Sequence, residues 1–163
     1  MGFDTFVEVV KADDLVSFST LPLYSPGART SQSGNDYVYV YNGNASTAIG
    51  TGKYCVLEPL GTSLSSGYTV TVSNASLFGL LVGVAQNTIN ASTYGWVMTK
   101  GVSLISTDSG EVSAAPGVDL ALGTNGGFVA AGATFSTAPR YGITLGSFIT
   151  GGTSKGRIFN SII

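Results

Sequence analysis

The chain has 163 residues, of which 44% are hydrophobic and only 10% charged, where an ordinary soluble domain carries about 25% charged residues. That length suits one domain, and so few charges fit a surface partly covered by neighbouring chains better than a free one. The net charge of −2 with seven dispersed cations shows no basic stripe for phosphate, the single cysteine precludes an intrachain disulfide, and the lack of histidine removes the commonest general base and metal ligand.

The N-terminus, MGFDTFVEVVKADD, has no basic stretch followed by an apolar one, so it does not read as a secretory signal. Phe6 stands where a myristoylation signal carries Ser or Thr. Lys11 to Phe18 suits a single helical turn. Residues 1–35 read as an extended N-terminal arm. Its later part, LPLYSPGARTSQSGND (Leu21 to Asp36), holds two prolines and many small polar residues. This arm either connects elements over the surface or reaches a partner subunit. Residues 36–163 read as a β-rich body.

Within the body the hydrophobic period is mostly two. YVYVY (Tyr37 to Tyr41) is a strand ending at the turn signal Asn42-Gly43. Its alternation puts Tyr37, Tyr39 and Tyr41 on one face and Val38 and Val40 on the other, toward a core. Cys55, in GKYCVLEP, lies between apolar residues and reads as a buried, inert thiol. GYTVTVS (Gly67 to Ser73) alternates like a half-buried strand. LLVGVAQ (Leu80 to Gln86) is continuously apolar and suits a strand buried on both faces. YGWVMTKGVSLIS (Tyr94 to Ser106) reads as a strand with a glycine break at Gly101. VDLAL (Val118 to Leu122), GFVAA (Gly127 to Ala131), RYGITLG (Arg140 to Gly146) and KGRIFNSII (Lys155 to Ile163) complete the set.

Clusters such as GNAS, STDSG, APG, GTNGG and ITGGTS punctuate these runs and supply turn chemistry. No helix longer than two turns is expected. The longest apolar run, Leu77 to Ala85, is far shorter than the roughly 20 residues of a membrane-spanning helix. The expected fold is all-β: a small β-barrel or a sandwich-like body with an extended N-terminal arm.

The constellations that carry chemistry are absent. No G-x-S-x-G elbow, no Cys/His cluster and no D-x-D-x-D-G loop occurs. The adjacent acids Asp13-Asp14 and the pair Asp108/Glu111 read as solvated loop carboxylates rather than a glycosidase pair. GGTSKG (Gly151 to Gly156) lacks the spacing of a phosphate loop and reads as a turn. The Asn-Ala-Ser triplets at Asn44, Asn74 and Asn90 read as turns. Neither enzymatic activity, a cofactor, a metal, nucleic acid nor a membrane is expected.

Two segments carry a resemblance. GVAQNTINASTYGWVMTKG (Gly83 to Gly101) combines a strand ending G-V-A, a polar turn, and Y-G-W-V leading into a further strand. YGITLGSFITGGTSKGRIF (Tyr141 to Phe159) has the form of a final hairpin. Together they make Gly67 to Ile163 resemble the capsid decoration, or cement, proteins of tailed bacteriophages. That resemblance implies a β-rich body of the β-tulip or small-barrel type that sits as a homotrimer on the outside of the virion and clamps adjacent subunits of the major capsid protein. It implies synthesis in the host cytoplasm. The rival reading is a phage fibre or a receptor- or carbohydrate-binding β-module using Tyr94 and Trp96, or Tyr68.

The candidate interface residues are Phe3, Phe6, Val7, Leu21, Leu23 and Tyr24 on the arm, and Tyr37, Tyr39 and Tyr41 on the first strand of the body. Gly83 and Gly95 are expected to allow close backbone approach or a bulge. Trp96 is expected in the core or at a subunit interface rather than as a ligand platform.

Overall fold

The computed structural model describes residues 10–57, 68–72, 81–108, 115–123, 126–130, 140–147 and 151–159. Among them a single 3-10 turn, Ala12–Val16, is followed by strands β1 (Phe18–Ser19), β2 (Arg29–Gln32), β3 (Asn35–Asn42), β4 (Tyr54–Leu57), β5 (Thr69–Thr71) and β6 (Leu81–Ala85). The long β7 (Tyr94–Ser106) comes next, then β8 (Asp119–Leu122), β9 (Phe128–Ala130), β10 (Gly142–Thr144) and β11 (Thr153–Ile158). The fold is all-β, and of the forms expected it is a barrel.

Five strands close the ring. β3 pairs in parallel with β5, β5 with β4, β4 with β6, β6 with β7, and β7 antiparallel back to β3. The period-two pattern decides what lies inside. Val38, Val40, Cys55, Val70, Val82, Ala85 and Val97 fill the barrel with Ile49 and Ile89, each large aliphatic contributing about 1.5–3 kcal/mol by burial. Tyr37, Tyr39 and Tyr41 face outward, as the alternation predicts.

β7 outgrows the barrel and founds a second sheet, in the order β7-β11-β10-β8-β9. That sheet curls until Thr107 bridges Phe128 in parallel. Its inner side chains Ile105, Leu120, Leu122, Phe128 and Ile158 meet Tyr54, Val56, Leu81, Val84 and Met98 on the outside of the barrel. β6 is therefore buried throughout, as its unbroken apolar run predicts. A register shift between Cys55 and Val56 lets Leu81 and Val84 serve one core while Val82 and Ala85 serve the other.

β7 also changes phase. Tyr37 pairs with Met98 but Asp36 with Lys100, which leaves Thr99 as a bulge. Gly101 follows with φ +130°. Met98 before this break and Ile105 after it then face the same core, although seven positions of uninterrupted alternation would put them on opposite faces.

β2 and β4 lie where no strand was expected. β2 forms a hairpin with β3 through Ser33-Gly34, both with positive φ, a two-residue turn whose twist suits paired strands. Residues 29–32, read as part of an extended arm, are thus a strand of the sheet. β11 begins at Thr153, inside the segment read as a turn; of that segment Gly151 and Gly152 precede the strand.

Candidate functional site

The described part of the arm folds back on its own barrel. Phe18 and Ser19 pair with Gly95 and Tyr94 of β7. Tyr24 packs edge-on against Tyr39 and Trp96, with ring centroids 5.3 and 5.2 Å apart. Tyr39 stacks on Tyr94 at 6.0 Å, and Tyr94 meets Tyr41 at 4.8 Å. Leu15 joins this cluster from the 3-10 turn. Such aromatic pairs contribute about 0.5–1.5 kcal/mol each beyond their buried area.

Polar bonds tie the same contact. The Tyr24 hydroxyl donates to Asp14 Oδ2 at 2.8 Å, and the Lys11 backbone N–H donates to that oxygen at 3.0 Å. Both bonds hold the Asp14 carboxyl below the usual aspartate range, the tyrosine bond most strongly. Leu23 N–H donates to the Tyr39 hydroxyl at 3.3 Å, and burial pushes that phenol above its ordinary value.

Among the candidate residues, Tyr39 and Trp96 are each only 2% exposed, packed beneath the arm within one chain. A sugar cannot stack on a ring so enclosed. Tyr24, Tyr37, Tyr41, Tyr68 and Tyr94 are half-buried. Leu21 and Leu23 point outward, at 72% and 54% exposure, and Phe18 is exposed as well. Phe3, Phe6 and Val7 lie outside the described residues. Gly83 and Gly95 both allow close approach: a Cβ would stand 2.7 Å from Met98 O at the first and 2.8 Å from Ile89 Cγ1 at the second.

A second surface is formed by residues far apart in the sequence. On the outer face of the second sheet, Leu104 is paired with Lys155, and Leu145 N–H donates to Lys155 O. In the next row Val102 is paired with Arg157, and Arg157 with Ile143. Each exposed cation is thus flanked on both sides by aliphatic side chains. Beside this face open two clefts of about 500 and 530 Å³. Lys100 and the exposed Phe159 line both, Arg29 lines the first, and Arg157 the second. No local signal could have shown this, because β2, β7 and β11 meet here only through pairing across the fold.

Two buried polar groups are structural. Asn42, expected at an open turn, is fully buried, and its amide nitrogen lies 3.0–3.2 Å from the carbonyls of Thr47, Ile89 and Asn90. Cys55 is buried in the barrel, 3.5 Å from Gly83 O, and its thiol is pushed up to about 12 by burial. Asn44 Oδ1 accepts from Ser46 and Thr47 N–H, so the first Asn-Ala-Ser triplet is a turn. Among the described residues no group of three His, Cys, Asp or Glu could hold a metal ion.

No family model matches the chain, and no curated protein matches it in sequence. Its fold is found among solved structures. The crystal structure of the N base of head fiber gp8.5 from bacteriophage phi29 matches with a TM-score of 0.53 at 13% identity. The match covers 78% of this chain and 98% of that one. At this identity the likeness is one of fold.

Proposed function

We propose that this protein is a structural component of a tailed-phage virion that attaches to the outside of the head. In the first form of this reading it is a decoration protein that clamps neighbouring major capsid subunits. The observation that carries the proposal is the fold shared with nearly the whole base of a phage head fibre. The decoration-protein resemblance of Gly83–Gly101 and Tyr141–Phe159 points the same way. The protein acts by binding rather than catalysis, consistent with a chain that lacks histidine. A homotrimer would engage the shell through several modest contacts. Once the first forms, the rest are intramolecular, which raises avidity by roughly 10²–10⁴.

The likeness to a fibre base favours a second form, in which the barrel is the attachment base of an appendage. Sedimentation of the protein with empty expanded heads tests the attachment common to both. Co-sedimentation at a fixed stoichiometry is expected. Binding to host cells or a glycan array with none to heads would overturn it. Heads with and without the protein, challenged by heat or chelator, separate the two forms: only a clamp raises the temperature of disruption.

A further inference from the structure

We propose that the surface around Lys100 is a docking groove for an extended, carboxylate-rich segment of a partner protein. The two clefts share Lys100 and Phe159 as their common wall. Arg29, Lys100, Lys155 and Arg157 are four of the chain's seven cations, gathered on one surface of a protein whose net charge is −2. Among the described residues none of the four is ion-paired; the pair between Arg140 and Asp119 lies in the row of Arg157, with Ile143 between Asp119 and Arg157. The carboxylate that lines the first cleft, Asp36, accepts a hydrogen bond from the Ser31 hydroxyl at 2.6 Å. Asp36, directly opposite Lys100, offsets one of the four charges; the positive excess that remains is self-repelling, and acids brought by a partner relieve it.

The spacing says what form those acids take. Lys155 and Arg157 sit two residues apart on one face of β11, which places them about 6.6 Å apart along the strand. Carboxylates at alternate positions of an extended peptide have the same repeat. Glutamate suits these positions better than aspartate, because Val102, Leu104, Leu145 and Phe159 stand exposed among the cations and can cover the apolar stem of the longer acid. A long nucleic acid fits less well. The net negative charge of the chain repels an extended polyanion, whereas a short acidic segment feels only the local cations within a screening length of about 8–10 Å. The inference does not depend on attachment to a phage head.

The experiment is fluorescence anisotropy of the full chain with a labelled peptide of about ten residues alternating Glu with Leu or Thr. Its Gln-for-Glu counterpart and an oligothymidylate of similar length are run beside it. The acidic peptide is expected to bind at least about tenfold more tightly than the Gln peptide, and to weaken severalfold between about 50 and 300 mM salt. The double variant Lys100→Glu/Arg157→Glu should abolish this preference, while Lys11→Glu, on the arm, should keep it. Unchanged Trp96 emission confirms that the variants are folded. Equal affinity for the Glu and Gln peptides, tighter binding of the oligothymidylate, or no binding of the acidic peptide would each overturn the proposal.

Discussion

The side-chain oxygen of Asn35 accepts the backbone N–H of Val102 at 3.0 Å, where β7 stops pairing with β3 and begins to pair with β11. Without Asn35 the Val102 N–H would lose its strand-like partner at this change of sheet. The same amide donates from Nδ2 to the Tyr37 hydroxyl at 3.4 Å. It can approach so closely because the intervening residue is Gly101, where a Cβ would stand 2.0 Å from Asn35 Oδ1. One glycine and one asparagine thus let a single strand belong to both the barrel and the second sheet.

Gly101→Ala is expected to cost about 2–4 kcal/mol, from an unfavourable φ combined with a clash against Asn35. At this chain length that lowers the thermal midpoint by roughly 5–15 °C. Gly117→Ala is the control. Its φ is also positive, at +86°, but nothing lies within 4 Å of the added carbon, so it should cost only about 1 kcal/mol. Thermal unfolding of the two variants checks this, and equal midpoints would refute the clash.

Tyr24 ties the arm to Trp96, the chain's one tryptophan, and the indole reports on the contact. Tyr24→Ala should red-shift Trp96 emission and cost roughly 1.5–3 kcal/mol of stability. Tyr24→Phe keeps the rings in place but removes the bond to Asp14, so the Asp14 carboxyl should titrate at higher pH than in the unsubstituted protein. Because the folded-state value of Asp14 is depressed, its contribution is present above the unfolded aspartate range and is lost as pH falls through the folded value. Tyr24→Phe should therefore soften that part of the acid limb. Carboxyl NMR titration reads the shift; an Asp14 that titrates alike in both proteins would remove the assigned cause.

Cys55 should resist alkylation in the folded protein at pH 8, since both its burial and its raised thiol value oppose thiolate formation. Full labelling of one thiol is expected only in denaturant. Rapid modification under native conditions would mean that the barrel opens at β4.

Much of this fold is readable along the chain because side-chain alternation is local. The faces of Tyr37–Tyr41, the double burial of Leu81–Ala85, the break at Gly101 and the enclosure of Cys55 all follow from neighbours within a few residues. β2 has no such local signature, because its residues are mostly small and polar and its hairpin depends on two positive-φ turn residues, Ser33 and Gly34. Closure of β3 on β7, the folding of the arm over Tyr39 and Trp96, and the burial of Asn42 were decided only in three dimensions. So was the gathering of Arg29, Lys100, Lys155 and Arg157 on one surface. The sequence by itself determined which residues face a core and which side-chain types the chain has to work with, since those depend on period and on composition. The tertiary structure alone decided which faces remain uncovered, because exposure of a strand's outer face depends on strands and arms that pair with it from far along the chain.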